Sequence, residues 1–162
     1  MNTHDEQKIR EQLITMIRGG NAFTPLADQL KGLPYEVTGQ TPAGFSHSIW
    51  ELTEHLRLAL NDLVEYSKDS HYTSPPWPEG FWPDHSTPAS DEEWEESIGQ
   101  IQFLMEEMVG LLRDPANDLF EPFEANPDHH LLRQATIVAE HNAYHGGQIA
   151  MLSKAIERQG LV

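Results

Sequence analysis

Apolar positions recur at helical spacing in four stretches of the chain, and nowhere do they alternate as a half-buried strand requires. In the first stretch Ile9, Leu13, Ile14 and Ile17 share one face until Gly19-Gly20 interrupts, and Thr3-His4-Asp5-Glu6 ahead of them has the form of a capping box. Phe23, Leu26, Ala27 and Leu30 resume the spacing, with Pro25 suited to a first turn. The pattern predicts a helix broken or kinked at the glycine pair and ending near Pro34. Residues 34–46, with Pro34, Gly39, Pro42 and Gly44, read as a connection.

Ser48-Ile49-Trp50-Glu51 is a second capping box, and the helix behind it runs to about Ser67 on Ile49, Leu52, Leu56, Ala59, Leu60 and Leu63. His55 lies at the edge of that stripe, while His47 is expected on the charged side near Glu54 and Glu65. From Asp69 to Ala89 the chain is too rich in proline for a regular element, as in Pro75-Pro76-Trp77-Pro78-Glu79-Gly80-Phe81-Trp82-Pro83. Loops of roughly that length inside one domain are usually functional or lids, and Trp77 and Trp82 are expected to anchor this one in the core. Ser90-Asp91-Glu92-Glu93 caps a third helix with Trp94, Ile98, Ile101, Leu104, Met105, Met108, Leu111 and Leu112 inward, which Asp114-Pro115 stops. Residues 117–125 form a shorter loop. Asn126-Pro127 has the form of a cap followed by proline in the first turn, predicting a fourth helix to about Gln159. Four amphipathic segments joined by loops imply an all-α, antiparallel four-helix bundle in a single domain over residues 1–162. Two connections are long enough to cross over.

The fourth helix carries Ala139-Glu140-His141-Asn142-Ala143-Tyr144-His145-Gly146-Gly147-Gln148-Ile149. At about 100° per residue, His141 and His145 stand one turn apart, flanked by Ile137, Val138, Ile149 and Leu152. Imidazoles on a buried stripe need partners for their ring nitrogens. A metal ion is one solution and hydrogen bonds to carbonyls or between the rings are the other. A zinc-protease motif would need Glu directly after the first histidine, where this chain has Asn142. His55 is the best third ligand, because bundle sites draw side chains from facing helices. His47 lies eight residues from His55, about 12 Å at helical rise, and is not expected to share the site. His130 is excluded in the same way, and His4, His71, His85 and His129 read as surface. Gln148 follows His145 by three, which suits a hydrogen bond behind a ligand or a buried amide. Glu51, one turn before His55, is a candidate proton carrier, and its other role is to complete the capping box.

Length and composition narrow the function. The 162 residues, 38% apolar with four Trp, six Phe and four Tyr, suffice for one substantial core. A formal net charge of −16 disfavours nucleic acid and anionic membranes as partners. Without cysteine there are no disulfides, thiolate ligands or cysteine nucleophile. The N-terminus lacks the charge and apolar run of a signal peptide, and no run of about 18 apolar residues offers a span, so a cytoplasmic protein is expected.

Three stretches together, Ser48-Ile49-Trp50-Glu51-Leu52-Thr53-Glu54-His55-Leu56, Trp77-Pro78-Glu79-Gly80-Phe81-Trp82-Pro83 and His141-Asn142-Ala143-Tyr144-His145-Gly146-Gly147-Gln148, resemble the DinB-like (YfiT-like) metalloenzyme superfamily. The resemblance implies an up-down-down-up bundle, often a homodimer, with zinc or nickel on His55, His141 and His145. It also implies a small-molecule substrate and, in characterised relatives, S-transfer or isomerisation that depends on a low-molecular-weight thiol. An open fourth position on the metal would be catalytic rather than structural. Other readings are hydrolysis by metal-bound water with Glu51 as base, and a non-enzymatic stress-response or binding bundle.

Overall fold

The computed structural model describes residues 3–69 and 71–160, with Thr3 described by its backbone alone. The capping hydrogen bonds expected of the Thr3 side chain lie outside the described residues. Among the described residues six α-helices form: α1 (Thr3–Arg18), α2 (Leu26–Leu30), α3 (Tyr35–Thr38), α4 (Ile49–Lys68), α5 (Asp91–Arg113) and α6 (Leu131–Arg158). A 3₁₀ turn spans Glu79–Phe81. Among the described residues no strand forms, and no helix is long and apolar enough to cross a membrane.

The glycine pair breaks the first segment outright. Gly19 and Gly20 both take positive φ (77° and 93°), a conformation costly for any residue with a Cβ, and the chain leaves α1 there. It resumes only as the five-residue α2 behind Pro25, and what reads as a connection after Pro34 contains the single turn α3. The cap predicted for α4 forms in full. Ser48 Oγ accepts from Glu51 N (3.1 Å), and Glu51 Oε2 accepts from Ser48 N (2.8 Å). α5 starts on Ser90, whose hydroxyl accepts from Glu93 N.

The last helix begins later than its sequence signals suggest. Asn126 Oδ1 accepts from Asp128 N (3.0 Å), which curls the chain into a turn in place of a helix start. The backbone N–H of Phe123 then bonds His129 O (2.8 Å). His130 is the N-cap instead, its Nδ1 accepting from Arg133 N (3.2 Å).

Helix directions follow from residue pairs. Arg10 donates to Leu112 O while Arg18 pairs with Glu106, so α1 and α5 are antiparallel. Ser97 Oγ donates to Glu54, and Lys68 pairs with Glu107 further along, so α4 and α5 are parallel. His55 meets His141 while Tyr66 meets His129, so α4 and α6 are antiparallel. α1 and α6 therefore run one way, α4 and α5 the other. Their shared core includes Ile17, Trp50, Leu56, Trp94, Met108, Leu112 and Ile149, each at most 1% exposed.

Candidate metal centre

His55 sits on α4 where the helix faces both α6 and the proline-rich loop. It is 4% exposed, and its Nδ1 lies 2.7 Å from Phe81 O, in the 3₁₀ turn. A carbonyl oxygen only accepts, so Nδ1 carries the proton and Nε2 keeps its lone pair. Trp82 stacks on the same ring, with centroids 4.2 Å apart and planes 10° from parallel. The loop thus fixes both the rotation and the tautomer of His55.

His145 is fixed by the same logic from its own helix. Its Nδ1 lies 2.6 Å from Gln148 Oε1, one turn on, which leaves Nε2 unprotonated. His141 brings its Nε2 to 3.1 Å from His55 Nε2. The ring centroids of the three lie 4.5–4.9 Å apart, and one ligand atom from each falls within 4.8 Å of the others. Three histidines on a tetrahedral zinc place their nitrogens about 3.3 Å apart. The donor set fits a cation: His55 and His145 keep their Nε2 lone pairs, and His141 Nε2 carries the proton it donates to His55 Nε2, the one proton a cation would replace. Among the described residues, His55, His141 and His145 form a group that could hold a metal ion.

Burial, first of all, disfavours the charged imidazolium throughout. It pushes His141 down to about 3, helped by the neighbouring charges of His145 and His55. His145 falls to about 4, burial outweighing the opposing hydrogen bond to Gln148. His55 is lowered by burial against the pull of the Phe81 carbonyl, with His47 adding to the shift. All three rings are neutral at pH 7, the form that ligates metal.

The other candidates fall elsewhere. Glu51 spends its carboxylate on the cap of α4, and it is not among the groups gathered at the centre. Asn142, 2% exposed, donates to Ile17 O (3.3 Å) and so satisfies a carbonyl at the end of α1. Gly146 lets α2 approach, since a Cβ there would lie 3.2 Å from both Leu26 and Gln29. Trp77 is 71% exposed, not anchored in the core, because its neighbour Phe81 fills that place and leaves Trp77 only a ring contact at 5.4 Å. His47 departs furthest from expectation. It stacks on Trp82 at 4.4 Å, away from the charged side of α4. His47 precedes the N-cap Ser48, so helical rise does not govern its position. His129 is half-buried against Tyr66, and His85 accepts through its carbonyl from Trp50 Nε1 (3.0 Å).

The sequence profile of the DinB superfamily matches residues 21–149, a span that holds α4, the proline-rich loop and both histidines of α6. The chain belongs to the DinB superfamily. No curated protein and no solved structure matches it significantly. Within this DinB chain the matched span ends at Ile149, just past Gln148, so it also contains both groups that accept from the histidine Nδ1 atoms. Phe81 O could not have been found from side-chain identity, because a backbone carbonyl has no residue signature. Trp82 carried a signal only as part of the aromatic loop.

Proposed function

We propose that this DinB protein is a metal-dependent, thiol-dependent transferase acting on a small molecule, with zinc or nickel held by His55, His141 and His145. The observation that carries the reading is the orientation of two of the three rings gathered around one point. Phe81 O and Gln148 Oε1 take up the outer nitrogens of His55 and His145, so their inner lone pairs converge with His141.

A divalent cation held there lowers the pKa of a thiol brought to it, so that a thiolate is available at neutral pH. The chain supplies the rest. Three neutral ligands would leave a bound cation its full positive charge, and the buried setting of the rings excludes competing water. Phe81 and Trp82 hold His55, and Gln148 holds His145, so ligand orientation does not have to be recovered at each turnover. The net reaction would join the thiol sulfur to an electrophilic carbon, the leaving group departing with the bonding electron pair and the thiol proton passing to solvent.

The test uses protein purified without a histidine tag and loaded with zinc or nickel. Rates are followed with 2-mercaptoethanol or cysteine and an alkylating chromophore such as monobromobimane. The reading predicts a rate that needs both metal and thiol and is abolished in His55→Ala. Glu51→Gln is predicted to weaken the helix cap and leave the rate intact. Hydrolysis of an ester without added thiol, lost in Glu51→Gln, would contradict the reading in favour of a hydrolase. No rate above background with any thiol and electrophile would leave only a binding bundle.

A further inference from the structure

Between α6 and the segment leading into α4 lies a cavity of about 580 Å³ whose wall includes Phe45, His47, Leu52, Tyr144, Gln148 and Met151. That volume is in the range of small-molecule sites. The cavity touches the metal centre through two shared residues: Gln148 bonds His145, and His47 stacks on the Trp82 that covers His55. A molecule seated there rests against Gln148, which holds His145, and against His47, one ring contact away from the cover of His55. Tyr144 and Met151, 63% and 59% exposed, present apolar surface that the chain itself does not cover.

No carboxylate, ammonium or guanidinium among the described residues lines this wall. Neither a metal-binding histidine nor a fixed cation lines the wall, so an anionic ligand would lose hydration there beside the His47 imidazole alone, in a molecule already at −16. We propose that this cavity binds the uncharged, largely apolar partner of the reaction, a neutral aryl or alkyl molecule, and excludes anionic ones. The proposal rests on the metal-centre reading for its place in the reaction, and on the cavity alone for its binding.

Gly147 gives a clean way to fill the cavity. It lines the wall, and a Cβ there meets nothing within 4 Å, so a larger side chain can leave α6 at this position, and Gly147→Leu is the filling variant. The probes are 4-methylbenzyl alcohol and 4-methylbenzenesulfonate, alike in shape and different in charge. Binding to the zinc-loaded protein is followed by saturation-transfer NMR and by the Met151 methyl resonance, with zinc stoichiometry measured separately. The alcohol is expected to bind at least about tenfold more tightly than the sulfonate. Gly147→Leu should weaken the alcohol by about tenfold or more while zinc content stays unchanged. Equal binding of the two probes overturns the choice of ligand class, and alcohol binding indifferent to Gly147→Leu overturns the site. If zinc fails to bind yet the alcohol still shifts Met151 and is lost in Gly147→Leu, the cavity stands and the metal reading falls.

Discussion

Two hydrogen bonds, from His55 Nδ1 to Phe81 O and from His145 Nδ1 to Gln148 Oε1, decide which nitrogen each ring turns inward. Only the second can be removed by a side-chain change. Gln148→Leu should lower zinc affinity by about 10–100-fold without unfolding the protein, measured by competition with a chromophoric chelator. The same rings set a pH dependence. His141 and His145 sit near 3 and 4 in the metal-free fold, below the free imidazole value of about 6.5, so the unfolded chain binds more protons at mildly acid pH. Their contribution is fully present above about pH 6.5 and is lost as pH falls towards the folded values. Metal-free wild type should therefore lose more Tm between pH 7.5 and 4.5 than His141→Leu, as thermal melts across that range would show. Equal losses would mean that burial of these rings is not what opposes their protonation.

At the scale of elements, α6 carries two adjacent glycines with opposite consequences. A Cβ on Gly146 meets Leu26 and Gln29 at 3.2 Å, whereas one on Gly147 meets open space. Gly147→Ala should stabilise by about 0.5–1 kcal/mol through helix propensity alone. Gly146→Ala should gain less or destabilise, because α2 must shift, and urea denaturation of the pair separates the two. The chain's own pattern made the long helices legible: the stripes of α4 and α5 and the Ser48 cap appear in the structure as the spacing implies. The convergence of His55 with His141 and His145 was legible too, from four-residue spacing on an apolar stripe and the need for a facing helix. What escaped reading was set by groups outside any helix. Gly19 and Gly20 end α1 through positive φ, and the turn at Asn126 delays α6 until His130 can cap it. Helical rise does not place His47, which precedes the N-cap, and its stacking partner is contributed by a distant loop. Such contacts depend on how loops return to the bundle, which periodicity does not encode.

For the whole molecule, Arg10 ties the first helix to the end of the third long one. It is 4% exposed and donates to Leu112 O (2.8 Å) and Asn117 O (2.6 Å), carbonyls that the end of α5 and its following loop leave without helical partners. Arg10→Met should cost about 3 kcal/mol by stranding those acceptors, read as a lower urea midpoint with an unchanged slope. The net charge of −16 favours cations over anions as partners of the molecule as a whole, which suits a site that gathers metal and a neutral ligand. Three neutral imidazoles from α4 and α6, meeting at one point inside an acidic four-helix bundle, are the basis of the functional reading. Zinc-edge X-ray absorption of the loaded protein tests this most directly. The account predicts about three imidazole nitrogens at roughly 2.0–2.1 Å, with one lost in His55→Ala. A shell of oxygens alone, or a spectrum unchanged by that substitution, would contradict it.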